Sequence, residues 1–497
     1  MCESSWKVPD GSFRDPGAYV SRMLNRTRKA LAFTATGLLL GLAACGDGSV
    51  TPPDPPPVPP APPPEPPPPP PPPPPEVVRA MLIDTVRLLA DHRNLDPLDP
   101  PPPVRPELVE LGRALAFDRI LGGNRDISCM TCHLPSFAMG DGRSLSIGVG
   151  GRGLGPNRTH PEGEFIPRNS PALFNLHLST QFFWDGFVEE TEDGSISTEA
   201  GDQLTPEMQA VFEFGALSAQ PMIPVLRRKE MRGFGDDNEL AALEDDDFTG
   251  VWAALMARLG EIEEYRAMFE AAYPGTGFDD MSFAHAANAI AGFYVSELTF
   301  IDTPWDRFLK GDNDQLGDSA LRGAKSFMTI RCMLCHETDQ FDDRNNEHHN
   351  AAIPQIGPGL GDGPGGNDDF GRERVTGDPA HRRLFKTPPM RNVELTGPYG
   401  HAGQFATLKA IVVHYDSIDN RLRDYDVSQV DPELRGTLLN NFDEILATRD
   451  TVLIPVAFDD AEADDLVAFL ESLTDDAARD LSHLAPATVP SGLPIDK

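Results

Sequence analysis

The sequence is poor in positive charge. It contains 42 Lys and Arg residues against 77 Asp and Glu, and its formal net charge is −35 over 497 residues. Because phosphate binding needs a basic patch that releases counterions, this composition argues against a nucleic-acid-binding function. An acidic surface keeps a protein soluble, and it also suits basic protein partners, so both interpretations of the charge stay open.

Long apolar runs are also scarce. The run from Ala30 to Ala44 follows three basic residues, Arg26, Arg28 and Lys29. It is too short to span a bilayer, but its length and its basic flank are typical of a signal peptide. The sequence therefore predicts export across the inner membrane of a bacterium.

The end of this run resembles a bacterial lipoprotein signal. Residues 42–46 read LAACG, so Cys45 is expected to be lipidated and to become the mature N-terminus. Residues 23–45 are then the signal peptide, with Met23 as the expected start. We expect a protein on the periplasmic side of the cell envelope, attached to the membrane by its lipid anchor only. A plain secretory signal cut near Ala44 is the alternative.

Proline is concentrated in one segment, where 20 of the 50 prolines lie between residues 52 and 75. Residues 46–76 are predicted to be a proline-rich linker that extends at about 3 Å per residue. It either spaces a globular body from a membrane or is an unstructured tail. The remaining residues, about 420 of them, mix apolar and charged types and can bury ordinary cores.

Cysteine is rare, with six in the chain. Cys2 precedes the expected start and Cys45 belongs to the processing site. The other four lie in two CxxCH motifs, at residues 129–133 and 332–336. The sequence therefore predicts that none is left for a structural disulfide.

The CxxCH motif has a specific chemistry. Its two thiols lie one helical turn apart and can both form thioethers to one haem, while the adjacent histidine ligates the iron. A zinc knuckle is the alternative, but each motif stands apart and lacks a second pair of ligands. We predict two covalently bound haem c groups, held by Cys129, Cys132 and His133 and by Cys332, Cys335 and His336.

Helical periodicity dominates the body of the chain. Leu108, Leu111 and Leu115 recur at helical spacing before the first motif, residues 319–327 precede the second, and residues 463–473 form a further amphipathic pattern. Alternating strand patterns are few, so the predicted fold is mostly α, with two cytochrome c-like haem domains, long loops and the proline-rich tether. The predicted ranges are 77–312 for the first domain, 313–475 for the second and 476–497 for a loose tail.

Four stretches give the chain a family resemblance: LGRALAFDRILGGNRDISCMTCH, RNSPALFNLHLSTQFFWDG, LSAQPMIPVLRRKEMRG and FKTPPMRNVELTGPYGHAGQFATLKAIVVHY. From Leu111 to Leu473 the chain resembles the bacterial di-haem cytochrome c peroxidases and their relative MauG. The resemblance implies a peroxidase-type oxidoreductase that binds hydrogen peroxide at the first haem and uses the second as an electron relay or charge store. Its partner would be a small redox protein, such as a cytochrome c or a cupredoxin, or an exported protein substrate.

The resemblance also implies three catalytic residues. Trp184 would lie between the haems, Glu230 would move the peroxide proton, and Gln220 would be its polar neighbour. Peroxide cleavage needs a group that carries a proton from the inner to the outer oxygen, and a carboxylate suits this task. Without the resemblance, Trp184 is more simply a core aromatic and Glu230 a solvated acid.

A calcium ion and a further histidine come with the same family pattern. Asn169, Thr396 and Pro398 match the family's ligands for one Ca²⁺, and oxygen ligands suit this ion. His401 matches a position near the second haem, where a structural hydrogen bond is as good an interpretation as a redox role.

Two positions depart from the usual peroxidase pattern. Val149 stands sixteen residues after His133, where many members have a histidine that ligates the iron in the resting enzyme. Valine cannot ligate iron, so the first haem is predicted to be five-coordinate or water-bound. Tyr415, eight residues after Thr407, replaces a methionine ligand as in MauG, which predicts a low potential for the second haem.

These departures leave alternatives. His414 or Met390 could ligate the second iron in place of Tyr415. A non-enzymatic di-haem electron-transfer cytochrome is the alternative function. It would need both irons six-coordinate, with a side chain such as Met139 or His160 reaching the first haem.

Overall fold

The computed structural model describes residues 72–191 and 193–497. The predicted signal peptide, the lipidation site Cys45 and most of the proline-rich linker lie outside the described residues, so they stay predictions. Among the helices of the described ranges, none is both long and apolar enough to cross a membrane. Residues 72–497 form one compact unit.

The described chain is mostly helical, which confirms the predicted class. In chain order the α-helices are α1 Pro75–Arg93, α2 Pro106–Phe117, α3 Cys129–Cys132, α4 Pro206–Gln209, α5 Ala216–Ala219, α6 Phe248–Gly260, α7 Glu263–Ala272, α8 Phe283–Glu297, α9 Pro304–Leu309, α10 Asp318–Thr329, α11 Glu373–Thr376, α12 Leu408–His414, α13 Ile418–Arg423, α14 Phe442–Ala447 and α15 Asp460–Glu471. Long loops and short 3₁₀ turns connect them.

Two small antiparallel sheets complete the secondary structure of the described ranges. The first contains β1 Gln181–Phe182, β2 Val188–Glu190 and β3 Ile196–Ser197, in that order. The second pairs β4 His348–His349 with β5 Phe385–Lys386. These strands are too short to form a core of their own, and they fix the course of the loops around the haem motifs.

The helix that precedes each haem motif packs against a helix from later in the chain, and a glycine allows each pair to pack closely. In the first pair, α2 crosses α8, and a Cβ at Gly112 would lie 1.9 Å from the Ala289 carbonyl oxygen. In the second pair, α10 crosses α15, and a Cβ at Gly323 would lie 1.8 Å from the Asp465 carbonyl oxygen. Neither position has room for a side chain, because backbone meets backbone.

Each helix pair centres a separate hydrophobic cluster. The first cluster is built on α2, α6, α7 and α8, with Phe117, Trp252 and Phe293 at its heart. The second is built on α1, α9, α10 and α15 around Trp305 and Phe469. The chain therefore buries its apolar surface in two main places, one beside each CxxCH motif.

The ends of the described chain depart from the predicted boundaries. Helix α1 falls in the predicted first domain, yet Ile83, Val86 and Ala90 pack in the second cluster. Residues 476–497 were predicted to be a loose tail, yet Leu481 and Leu484 are buried in the first cluster. The prediction of a loose tail was wrong, because this segment lacks a long periodic helix but still contributes isolated apolar side chains to the core.

Candidate functional site

The second CxxCH motif opens onto a cavity. Cys332, Cys335, His336 and Tyr415 all line this cavity, whose volume is about 300 Å³. The size falls in the range of small-molecule and cofactor sites, and most of the lining is apolar. The structure thus brings together the predicted thioether cysteines, the predicted proximal histidine and the predicted distal tyrosine.

The histidine of each motif is oriented for iron ligation. His336 Nδ1 donates to the Phe341 carbonyl oxygen at 2.6 Å, and His133 Nδ1 donates to the Met139 carbonyl oxygen at 2.9 Å. A proton held on Nδ1 leaves the Nε2 lone pair for the metal. Burial lowers the pKa of His336 to about 4 and also lowers the pKa of His133, so both rings are neutral, as ligation requires.

The first motif is short and tightly enclosed. Cys129–Cys132 forms α3, and the Ser128 side chain caps it in a capping box with Thr131. Burial raises the pKa of the Cys129 thiol to about 12. The Ser170 hydroxyl donates to the Cys132 carbonyl oxygen at 2.9 Å and lies 3.2 Å from Nδ1 and 3.3 Å from Nε2 of His133.

A residue that the sequence did not point to closes the first motif. The Asp496 carboxylate accepts a hydrogen bond from the Thr131 hydroxyl and lies 3.3 Å from the Ser128 hydroxyl. Arg119 forms an ion pair with the same carboxylate. Asp496 lies 365 positions or more beyond these partners in the chain, and no local pattern connects them.

Glu230 lies within electrostatic range of the first motif. Burial raises the pKa of the Cys132 thiol, and the charges of Asp141 and Glu230 raise it further. Glu230 stands in a single turn of π-helix, Arg228–Arg232, and its side chain is 24% exposed. Burial raises the pKa of Glu230, while the charge of Arg227 opposes this rise.

Val149 lies directly beside the segment that carries Glu230. The Val149 backbone N–H donates to the Lys229 carbonyl oxygen at 3.2 Å, and the valine is 7% exposed within the first cluster. The sequence departure and the candidate acid–base residue therefore share one side of the first motif. Gln220 begins the turn Gln220–Met222 and is half-buried, and within the described ranges no hydrogen bond joins its side chain to Glu230.

Met139 and His160, the alternative ligands for the first iron, each take part in a hydrogen bond. The Met139 carbonyl binds His133 Nδ1, which puts its backbone on the side of the imidazole that faces away from the iron. His160 Nδ1 accepts from the Glu162 backbone N–H at 3.1 Å. This bond engages Nδ1 alone and leaves His160 Nε2 for other contacts.

The candidates for the second iron differ in their access to the cavity. His414 Nε2 donates to the Ala351 carbonyl oxygen at 2.9 Å, and His414 is not among the residues that line the cavity. Tyr415 and Met390 both line the cavity of the second motif. Burial raises the pKa of Tyr415, and the nearby Cys335 and Cys332 add to the rise, so its deprotonation depends on a bound cation.

Trp184 lies at the same cavity and is held firmly. Its indole Nε1 donates to the Asn169 carbonyl oxygen at 2.9 Å. The next residue, Asp185, forms an ion pair at 2.7 Å with Arg168, and Asp369 pairs with the same guanidinium at 2.7 Å. This buried network anchors the WDG segment on both sides of the indole.

His401 and the predicted calcium ligands surround this network. Asn169, Thr396, Pro398 and His401 all line the cavity of the second motif. The Asn169 side-chain N–H group donates to the Arg143 carbonyl oxygen at 3.0 Å. The His401 ring stacks on Phe385 at 3.8 Å, and burial lowers its pKa to about 4, which fits a structural role.

Comparison with known proteins agrees with this site. The family model for di-haem cytochrome c peroxidase matches residues 106–314. The methylamine utilization protein MauG of Methylorubrum extorquens is 28% identical over 306 residues, which cover 61% of this chain and 67% of MauG. The cytochrome c551 peroxidase of Pseudomonas aeruginosa is 29% identical over 303 residues, which cover 61% of this chain and 70% of the peroxidase.

A solved structure gives the same result. A MauG-like protein associated with microbial copper homeostasis superposes with a TM-score of 0.53 at 26% identity, covering 78% of this chain and 97% of that protein. Together with two motifs whose histidines present Nε2 for ligation, these matches assign two c-type haems to the chain. Residues 106–314 thus form a di-haem cytochrome c peroxidase domain, and the chain, which is similar to MauG, is a di-haem peroxidase-type oxidoreductase.

Proposed function

We propose that hydrogen peroxide reacts at the first haem and that Glu230 transfers the proton. A haem held by Cys129, Cys132 and His133 would supply an open iron position for peroxide and the electrons for cleavage of its O–O bond. The observation that supports this most directly is the contact of Val149 with the Glu230 segment, 3.2 Å between the Val149 N and the Lys229 O. Where a histidine would close the first site, the chain has an apolar side chain, and the segment that carries Glu230 lies next to it.

The chemistry assigned to Glu230 is a proton transfer between two oxygens. The carboxylate takes the proton from the inner peroxide oxygen and returns it to the outer oxygen, which leaves as water. The raised pKa of this partly buried carboxyl brings it closer to neutral pH, where a group can both accept and release a proton. Gln220 is the polar neighbour in this proposal.

Trp184 and Tyr415 serve the second haem in the proposal. Trp184 couples the two haems, and its fixed indole supports this role, because electron transfer benefits from a rigid bridge. Tyr415 would ligate the second iron, which is supported by its place at the cavity, whose lining does not include His414. A phenolate is a hard anionic donor and stabilises the ferric and higher states.

The site features favour MauG-like use of the oxidising equivalents over ordinary peroxidase turnover. Both Val149 and Tyr415 remove features of the gated peroxidases, namely the closed resting site and the thioether ligand. We propose that the equivalents oxidise an exported protein or a small redox protein. The formal charge of −35 favours a partner with a basic docking face.

Further structural proposals accompany the function. The two hydrophobic clusters, each beside one CxxCH motif, support two cytochrome c-like haem domains within the compact unit. The shared cavity position of Asn169, Thr396 and Pro398 supports one Ca²⁺ between them. A lipid anchor at Cys45 and a periplasmic location rest on the sequence pattern.

The test is the reaction of the diferric protein with one equivalent of hydrogen peroxide, without reductant. Optical and EPR spectra before and after addition are expected to show a high-spin haem that reacts at once and depletion of both ferric signals. Two low-spin haems that ignore peroxide until one is reduced would favour a gated peroxidase. Inertness after reduction would favour the electron carrier.

A matched pair of variants tests the role of Glu230. Glu230→Gln keeps the shape of the side chain and is expected to suppress the peroxide reaction while both haems stay attached. Glu164→Gln is the control, because Glu164 pairs with the neighbouring Lys229 at 3.7 Å and is 40% exposed. Full reactivity of the Glu230 variant would remove this residue from the mechanism.

A further inference from the structure

Three cationic residues precede Glu230 in the chain, and their side chains diverge. Arg228 pairs with Asp245 at 2.6 Å, and Lys229 pairs with Glu164 at 3.7 Å. Arg227 turns the other way, and its Nε lies 3.9 Å from Glu230 Oε1. Of the three, Arg227 is the one that faces the candidate acid–base carboxylate.

The Arg227 guanidinium is held from two further sides. Its Nη2 donates to Glu199 Oε2 at 2.9 Å, and its Cζ lies 4.7 Å from the centre of the Phe187 ring. An ion pair on one side and an aromatic face on the other fix the plane of the group. Its orientation toward Glu230 is therefore built into the fold.

The 3.9 Å separation has a chemical consequence. It is too long for a hydrogen bond, but it is an ion-pair distance at a partly buried site. A direct bidentate pair would occupy both carboxylate oxygens and weaken Glu230 as a base. The observed offset favours the charged carboxylate and leaves its oxygens free for peroxide.

The Arg227 Nε–H is also available. This nitrogen is buried and has no hydrogen-bond partner among the residues that the structure describes. A buried donor without a partner costs about 1 to 3 kcal/mol, so it marks a place where a further acceptor is expected. A shift of roughly 1 Å would bring it within hydrogen-bond distance of the Glu230 carboxylate once the site is occupied.

We propose that Arg227, anchored by Glu199, is a positioning residue that keeps Glu230 ionised and directed toward the first haem. This inference rests on the proposed function, because it assumes that Glu230 is the proton carrier. Arg227 itself does not exchange the proton. Arg227 instead sets the fraction of molecules in which Glu230 is ionised and can accept a proton.

The direction of the effect follows from the charges that face Glu230. Burial raises the pKa of this carboxyl; the charges of Arg227 and Arg168 lower it, and the charges of Glu199 and Asp185 raise it. When the Arg227 charge is removed, less positive charge opposes the rise in the pKa of Glu230 that burial, Glu199 and Asp185 cause. The pKa of Glu230 then rises, so at acidic pH a larger fraction of the protein molecules has a protonated Glu230 and is inactive.

The experiment compares Arg227→Gln with Arg228→Gln in the full di-haem protein. The measurement is the pH dependence of two rates, the peroxide reaction and the association of cyanide with the ferric first haem. Hydrogen cyanide must lose a proton on binding, so its association reports the base without any turnover. The acidic limb of both profiles is expected to move to higher pH by about one unit in Arg227→Gln, which is about a tenfold loss of rate on that limb.

The controls separate charge from structure. Arg228→Gln is expected to keep the wild-type limb, and Arg227→Lys to give a limb between those of the wild type and Arg227→Gln. If Arg227→Gln does not accumulate with two haems, Arg227→Met removes the same charge with a side chain that still covers Phe187. An unmoved acidic limb in the folded, charge-free variant overturns the inference.

Glu230→Gln, measured in parallel, keeps the two hypotheses apart. If Glu230→Gln reacts with peroxide and cyanide like the wild type, the proposed role of Glu230 fails, and this inference fails with it. If Glu230→Gln suppresses both reactions while Arg227→Gln leaves the limb in place, the proposed function stands and only the role of Arg227 is wrong.

Discussion

Replacement of Asp496 by Asn tests whether the C-terminal segment stabilises the first haem motif. The Asp496 side chain is 1% exposed, pairs with Arg119 and accepts from the Thr131 hydroxyl, with the Ser128 hydroxyl 3.3 Å away. The neutral amide would leave the Arg119 charge without its partner and turn a donor toward it. The substitution therefore removes an ion pair and disturbs the cap of α3.

The expected cost follows from the burial of the pair. Removal of one member of a fully buried ion pair costs about 3 to 5 kcal/mol. Arg119 is 23% exposed, so water reaches part of its charge and reduces this cost; with the hydroxyl contact included, we expect about 2 to 4 kcal/mol. This is a large fraction of the stability of an ordinary domain.

The assay is urea unfolding of the haem-loaded protein, followed by the Soret signal and by proteolysis of the C-terminal segment. Asp476→Asn is the control, because Asp476 lies in the same segment, is 78% exposed and pairs with Arg479 at 3.5 Å. It is expected to cost less than about 0.5 kcal/mol. Equal midpoints for the two variants would refute the structural role of Asp496.

Three other predictions concern ligands and pH. Tyr415→Met is expected to raise the reduction potential of the second haem, because a thioether favours ferrous iron. Redox titration checks this, with Tyr399→Phe, at another tyrosine of the cavity, as the control variant. An unchanged potential in Tyr415→Met would favour Met390 as the ligand. Val149→His is expected to convert the first haem to a low-spin state that reacts with peroxide only after the second haem is reduced; a persistent high-spin EPR signal would contradict this. His401→Gln is expected to reduce the loss of stability in acid. Burial lowers the pKa of this histidine to about 4, against its ordinary value of 6.5, so its contribution to stability is present above pH 6.5 and falls by about 3 kcal/mol as the pH drops to 4. Urea midpoints of the variant that keep the wild-type pH slope would contradict this prediction.

The predicted site residues differ in how far the structure supports them. Trp184, Tyr415 and the ligands of the second haem line one cavity, as the resemblance implied. Glu230 is within electrostatic range of Cys132, but no hydrogen bond joins Gln220 to it among the described residues. The family and the peroxidase activity are confirmed by the comparisons, whereas the roles of individual residues and the calcium site stay predictions.

The covalent chemistry and the class of fold follow from local patterns in the sequence. A CxxCH motif needs no distant partner, because the spacing of five adjacent residues places both thiols and the histidine around one haem. Helical periodicity is likewise local, so the helices that lead into each motif could be predicted from the spacing of apolar residues. The replacement of histidine by Val149 is equally local, because it depends only on the distance along the chain from His133.

The contacts between distant segments depend on tertiary packing. Asp496 reaches the first motif, α1 joins the second cluster, and Arg227 turns toward Glu230 while Arg228 turns away. None of these has a local signature, because an exposed acid or arginine has the same sequence pattern as one that is buried against a partner. Burial and direction are properties of packing, and packing is established only when the whole chain has folded.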